Sequence, residues 1–411
     1  MKQAACRFCG AALKLSFADL GMSPPSNSYL EAEELNRVER FYPLHAWVCE
    51  KCFLVQLEEF ETPEQIFSDY AYFSSNSDSW LAHAKAYAEA MVRRFGLGKA
   101  SFVIEIASND GYLLQYFVAQ GVSVLGIEPA ANVAAVAEKK GVPTLVKFFG
   151  TKTAGELAAA GRKADLIAGN NVLAHVPDLN DFVRGMGALL KQGGVVTMEF
   201  PHLLRLMQEN QFDTIYHEHF SYISFVVAER VFAAHGLTLF DVDEIPTHGG
   251  SLRIYARHTA NAALPVSHKV VQLREREHAA GLERAETYHS FAEQVKETKR
   301  GLLKFLIGAK EAGKRVAGYG APAKGNTLLN YCGVRSDLLE YTVDRSPHKQ
   351  GRFLPGVHIP IHAPERIMES RPDYLLILPW NLKDEIMGQM ACIRSWGGQF
   401  VVPIPGVQVL D

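Results

Sequence analysis

Two histidines, a glutamate and two tyrosines fall within residues 216–222, inside the run FDTIYHEHFSYIS. So many polar and titratable side chains are costly to bury unless they are used. Three chemistries compete for them. The pair His217-x-His219 can bind a catalytic metal, although no H-E-x-x-H helix pattern supports it. The cluster can equally be a solvated surface feature. The density of titratable groups favours a third reading, a general acid–base site. Histidine exchanges protons near neutrality, and the hydroxyls of Tyr216 and Tyr222 can donate to a developing enolate oxygen.

Cysteine spacing gives a second chemistry. Cys6 and Cys9 form one C-x-x-C pair, and Cys49 and Cys52 form another. Each such turn aims two thiolates at one point, and two turns complete a tetrahedral Zn–S₄ site with no open position, so the zinc is structural. The pairs are farther apart than in a compact zinc ribbon, so an insertion carrying Pro24, Pro25 and Tyr29 loops out. Four unligated thiols, or a redox pair, are the alternatives. Cys332 and Cys392 stand alone.

Two further runs have the form of strand, tight turn and helix. In FVIEIASNDGYLL, Glu105 lies at a strand end, where a doubly wound sheet places a ligand. Glu128 ends the next strand and can accept hydrogen bonds from both hydroxyls of a ribose. Ala107 and Asn109 occupy turn positions where glycine would admit a pyrophosphate, and Gly111 is the glycine that remains. A cofactor without phosphates fits better, and S-adenosylmethionine is one. Its positive groups favour a nearby carboxylate, Glu105 or Asp110. Any Rossmann-like domain remains the alternative. Asn170 and Asn171 follow the strand ADLIAGNN, where they can meet adenine or substrate, or cap a helix. In RVAGYGAPAKGNTLL, Gly318, Gly320 and Gly325 with Lys324 can hold a phosphate at a helix N-terminus. That turn, with Asp344 ending the next strand, also fits an NAD-dependent nucleotide-sugar dehydrogenase or epimerase. A glycine turn without function is the simplest alternative.

The elements that must position these groups follow from pattern and length. The 411 residues exceed one ordinary core and imply two or three domains. SFVIEIA, VSVLGIE, ADLIAGNNV and VVTMEF are strand-like, with helical stretches around 111–120, 130–140 and 180–191, which implies a parallel sheet covered by helices. KRVAGYGA, LEYTVD, PDYLLILP and QFVVPIPG form a second such series, after a helical connector at 265–312. A helix is expected over 75–95, capped by Ser77, Asp78 or Ser79. The fold class is therefore α/β. It comprises a zinc-binding domain (1–68), a Rossmann-like domain (69–264), and the connector with a second Rossmann-like domain (265–411). Hydrophobic residues make up 48% and charged residues 21%, and the formal net charge of −3 argues against a general nucleic-acid binder. No apolar run is long enough to span a bilayer, and no signal-peptide pattern opens the chain, so a cytoplasmic protein is expected. A zinc-ribbon scaffold without enzymatic activity is the non-catalytic alternative.

Taken in order, these runs resemble the nucleotide-sugar C-methyltransferases of deoxysugar biosynthesis, typified by enzymes that methylate C-3 of dTDP-linked 4-keto-sugars. The resemblance covers essentially the whole length. It rests on the two C-x-x-C pairs, DYAYFSSNS at 69–77, EIASNDGYLL at 105–114, NNVLAHVPD at 170–178, YHEHFSY at 216–222 and GYGAPAKGNTLLN at 318–330. It implies a zinc domain, a central S-adenosylmethionine domain and a C-terminal domain that helps hold the nucleotide-sugar. It implies His219 as general base, Tyr216 and Glu218 as neighbours at the reacting sugar, and Tyr70 and His175 as groups completing the pocket. Tyr72, Tyr222, Gly320, Lys324 and Asn326 are the candidate substrate contacts. The partner is expected to be a nucleotide-linked 4-keto-sugar, with no nucleic acid or membrane, and the chain a monomer or small homo-oligomer.

Overall fold

A computed structural model describes residues 4–64 and 73–411. Tyr70 and Tyr72 lie outside the described residues. Strands β1 (Leu15–Ser23), β2 (Tyr42–Val48) and β3 (Val55–Leu57) make an antiparallel N-terminal sheet. The chain then builds β4 (Phe102–Ile106), β5 (Ser123–Ile127), β6 (Thr144–Leu145), β7 (Ala164–Asn170) and β8 (Leu190–Pro201). All five are parallel, in the order β8-β7-β4-β5-β6. Their near-continuous apolar runs are buried on both faces, as a helix-covered parallel sheet requires. The expected strands and helices are found here, and Ser77 caps the helix Asp78–Phe95 through the Trp80 N–H (3.3 Å).

The next strand breaks the domain order. β9 (Ser221–Tyr222) leaves the central sheet and pairs with β3 of the N-terminal sheet, Val55 opposite Tyr222 and Gln56 opposite Ser221. The histidine-rich run is therefore held by the cysteine-bearing sheet. β10 (Leu237–Ile245) and β11 (Ser251–His258) return to the central sheet, where only β11 runs against its neighbours. The connector is three helices, His268–Ala279, Ala285–His289 and Phe291–Glu311. Phe17 of β1 stacks on Phe291 (4.4 Å between centroids), so N-terminal sheet and connector share a core.

The C-terminal unit contains β12 (Val316–Tyr319), β13 (Thr342–Val343), β14 (Ile361–His362), β15 (Tyr374–Ile377), β16 (Gln399–Val402) and β17 (Gln408–Leu410). Its order is β14-β13-β12-β15-β16-β17, parallel except for β17. Both α/β sheets thus reverse direction beside their first strand, and that reversal opens a crevice at the strand ends. Among the described residues, no helix is long and apolar enough to cross a membrane.

Candidate active site

The sulfur atoms of Cys6, Cys9, Cys49 and Cys52 all lie within 4.8 Å of one another, with Cys6–Cys52 at 3.5 Å and Cys9–Cys49 at 3.4 Å. Zn–S bonds of about 2.3 Å in a tetrahedron separate the sulfurs by roughly 3.8 Å, so the donor set fits one zinc ion. Gln56 donates to the Cys6 sulfur (3.2 Å) and accepts from the Arg7 backbone N–H (2.9 Å). Arg7 in turn donates to the Pro177 carbonyl (2.7 Å) and lies over the Phe220 ring. The cysteine knuckle therefore grips the segments that follow His175 and His219.

The cofactor crevice lies at the ends of β4 and β7. Ala107, Asn109 and Gly111 all have positive φ (57°, 48° and 75°), so the turn takes the shape that glycine favours while keeping two side chains. A Cβ on Gly111 would meet Val142 and Ala137 at 3.1–3.2 Å, so this glycine permits close packing. Glu128 accepts from the N–H groups of Asn109 and Ala130 (2.9 Å each) and keeps a lone pair on each oxygen for a ribose hydroxyl. Asn109 is turned to accept from the Ser74 N–H (2.9 Å), and Asp110 pairs with Lys140 (3.0 Å). Among the described residues, the fully buried Glu105 has no cation or backbone donor, and the Tyr112 hydroxyl lies beside it. Burial pushes it well above the usual carboxylate range, and Glu128 and Asp110 add to the rise. Among the described residues, Ser108 and Asn170 likewise bury polar atoms without a well-formed hydrogen bond, as does the Asn171 side-chain carbonyl oxygen. Buried polar groups are normally satisfied, so this cluster fits a polar, cationic ligand such as S-adenosylmethionine.

Across the crevice, the turn 216–219 closes through the His219 N–H to the Tyr216 carbonyl (2.8 Å). His219 Nδ1 lies 2.9 Å from the Thr214 carbonyl. A carbonyl only accepts, so Nδ1 carries the proton and Nε2 offers its lone pair, here to the Tyr216 hydroxyl at 2.8 Å. His175 repeats the pattern, donating from Nδ1 to the Glu218 carbonyl (2.7 Å), and the two rings meet edge to face at 4.7 Å. Burial lowers both: His175 to about 4, and His219 well below its ordinary value with the help of His175. Two neutral imidazoles thus touch one another, and His219 lines a small cleft with Thr214, Ser221 and Tyr222. Glu218 accepts from Asn27 Nδ2 (2.6 Å), and burial raises it to about 7. His217 points elsewhere, to the Pro43 carbonyl (3.2 Å), so a His217–His219 metal pair is not formed.

Lys324 of the C-terminal glycine turn is near enough to His219 for its charge to lower the imidazole further. Lys324 binds Asn381 (2.7 Å), lies over the Trp380 ring and has its pKa lowered by burial. Asn326 is fully buried, with its amide oxygen accepting from Asn330 (3.2 Å). The space beside Gly320 is filled, since a Cβ there would meet Pro379 at 2.5 Å. Tyr29 and Lys349 both donate to the Ala321 carbonyl, and Asp344 accepts from the Ala321 N–H (2.8 Å). With the Gly320 side of the turn filled by Pro379, a dinucleotide lacks its close backbone approach there, a contact that does not involve the first-turn N–H groups of the helix Ala323–Cys332. Asn27, Asp213 and Trp380 take part in this site without having been singled out from the sequence. The only local hint was position: Asn27 follows the Pro24-Pro25 turn, and Asp213 opens the histidine run.

Family models match the chain in three stretches: "Putative zinc binding domain" over residues 6–67, "Methyltransferase domain" over 80–242 and "C-methyltransferase C-terminal domain" over 246–405. The chain is 36% identical over 406 residues to the C-methyltransferase NovU of Streptomyces niveus, covering 99% of this chain and 96% of the relative. A ubiquinone biosynthesis O-methyltransferase of Azorhizobium caulinodans is 27% identical over 116 residues, 26% of this chain and 46% of that one. An S-adenosylmethionine-dependent methyltransferase structure from Clostridium acetobutylicum aligns at 13% identity and TM-score 0.36, covering 45% of this chain and 93% of that one. The dehydrogenase alternative finds no support in these comparisons. Methyltransferase and zinc-binding domains agree with the cofactor crevice and the cysteine cluster described above.

Proposed function

Because the chain belongs to the C-methyltransferase family of its Streptomyces relative, we propose that its acceptor is a carbon next to the ketone of a nucleotide-linked 4-keto-deoxysugar. C-3 and a dTDP carrier are our assignments within that class. The observation that carries the reading is the pair of neutral imidazoles in contact, His219 with its Nε2 lone pair facing a tyrosine hydroxyl. Carbon must lose a proton before it can take a methyl group, and a ketone acidifies the adjacent C–H. An uncharged imidazole is suited to that abstraction.

S-adenosylmethionine, when bound, supplies an electrophilic methyl group on a sulfonium. Glu105, Glu128 and Asn170 would hold it at the ends of β4, β5 and β7. His219 Nε2 takes the proton from the substrate carbon. For Nε2 to take that proton the Tyr216 hydroxyl must first turn away from it, and turned to the ketone oxygen it donates to the developing enolate. His175 carries its proton on Nδ1 and so presents an acceptor, suited to a sugar hydroxyl more than to an enolate. Glu218 meets a sugar hydroxyl or amine, and Tyr70, Tyr72 and Tyr222 complete the substrate pocket. The first-turn N–H groups of the helix Ala323–Cys332, with Lys324 nearby, are the proposed seat of the diphosphate.

The test is a screen of 4-keto nucleotide-sugars with S-adenosylmethionine, read by mass spectrometry for the gain of one CH₂. A gain with a 4-keto-sugar and none with its 4-hydroxy counterpart supports the reading. Methylation of both alike, or of neither, counts against it.

A further inference from the structure

The His219 base is oriented by the Thr214 carbonyl, and Thr214 sits in a short turn whose anchors come from elsewhere in the chain. Asp213, its neighbour, is fully buried, and its Oδ2 accepts from the indole N–H of Trp380 at 2.7 Å. Trp380 belongs to the C-terminal unit, in the turn that follows β15. Its other ring edge lies against Gly249, where an added Cβ would come within 2.6 Å of the indole. Gln211 donates to the Gly249 carbonyl (2.7 Å), and the Thr214 hydroxyl donates to the Gln211 carbonyl (2.7 Å). The turn that aims the base is therefore clamped between the β10–β11 connection and one tryptophan of the C-terminal unit. Lys324 lies 4.4 Å from the centroid of the same indole, so the proposed phosphate-binding turn bears on this clamp as well.

We infer that Trp380 and Asp213 are a positioning pair, through which the C-terminal unit sets the orientation of the His219 imidazole. This rests on His219 being the base proposed above. Neither residue touches substrate in this account. They act through the Thr214 carbonyl, and a buried carboxylate stripped of its indole partner would drag that carbonyl off line.

The test measures proton abstraction alone, as exchange of deuterium from D₂O into the carbon beside the ketone. The probe is a dTDP-linked 4-keto-6-deoxyhexose, without S-adenosylmethionine, on the full zinc-containing chain. Trp380→Phe keeps the ring packing and deletes the N–H, and Asp213→Ala deletes the acceptor. Each is expected to slow exchange about ten- to hundredfold, since small misplacements of a reacting group carry such costs. KM for the probe and affinity for S-adenosylmethionine should stay within about twofold of wild type. Asp213→Asn still offers the indole an acceptor and should recover exchange to within about threefold. The double variant Trp380→Phe/Asp213→Ala should be no slower than the slower single one, because both break one interaction.

Equal rates in Asp213→Ala and Asp213→Asn would overturn the inference, and this pair decides it even if Trp380→Phe fails to fold. So would a double-variant loss equal to the product of the single losses. Absence of exchange in the wild-type chain is a different failure. It would remove the acid–base reading itself, and the positioning role with it.

Discussion

Glu218 carries a cost that folding imposes and that one substitution should remove. Its carboxyl is buried against the N-terminal segment, with Asn27 as its hydrogen-bond donor and Glu61 as a further like charge. Desolvation lifts it from 4.5 to about 7. A raised carboxyl binds its proton more tightly folded than unfolded, so the contribution is full below pH 4.5 and lost as pH rises through 7. At about 1.4 kcal/mol per pH unit, ionising Glu218 in place costs about 3–4 kcal/mol of stability. Glu218→Gln keeps an acceptor for Asn27 and has no charge to desolvate. The variant should match wild type near pH 4.5 and exceed it by about 3–4 kcal/mol at pH 8. Urea unfolding of both chains across pH 5–8 reads this directly, because every other titrating group cancels in the difference. Parallel stability curves would refute the account of Glu218 as a buried, proton-holding carboxyl. At pH 8 the more stable variant should also be the less active one, as expected of a site that holds strain for function.

Further predictions follow from the same geometry. His219→Asn should cut turnover by about 10²–10⁴-fold while leaving S-adenosylmethionine affinity within twofold by calorimetry; a loss of cofactor binding instead would move His219 out of the base role. Affinity for S-adenosylmethionine should increase with pH, because a cation bound beside Glu105 favours its ionised form, and Glu105→Gln should flatten that dependence as well as weaken binding. Cys49→Ser should lower zinc content below one per chain and the melting midpoint by about 5 °C or more, since metal binding of this kind contributes directly to folding. Activity in that variant should fall with the metal, because Arg7 and Gln56 tie the knuckle to the histidine segment.

The sequence was most legible where local pattern decides structure. Strands β4, β5, β7, β8, β12, β13, β15 and β16 follow from apolar runs bounded by turns, whereas the two-residue β6 and β14 do not, and Ser77 is the cap among the three candidates Ser77, Asp78 and Ser79. The cysteine cluster followed from spacing, because four thiolates in two turns have one obvious use. Long-range pairing was not legible. Nothing in Ser221-Tyr222 announces that two residues will leave one sheet to pair with β3 of another. The segment after Pro25 reads as an insertion, yet it sends Asn27 to Glu218 and Tyr29 to the Ala321 carbonyl. Trp380 lies 167 positions from Asp213, and only the packing of the C-terminal unit brings them together. The glycine turn shows the opposite error, in which a familiar spacing suggests a dinucleotide site whose Gly320 side Pro379 fills.

The most direct test of the central claim is where the transferred methyl group ends up. Product formed from ¹³C-methyl-labelled S-adenosylmethionine and a dTDP-linked 4-keto-deoxysugar should be resolved by NMR. The account predicts a labelled methyl singlet bonded to the ring carbon beside the ketone, with that carbon's hydrogen lost and formation abolished in His219→Asn. A label found on oxygen or nitrogen, or undiminished product from the variant, would contradict it.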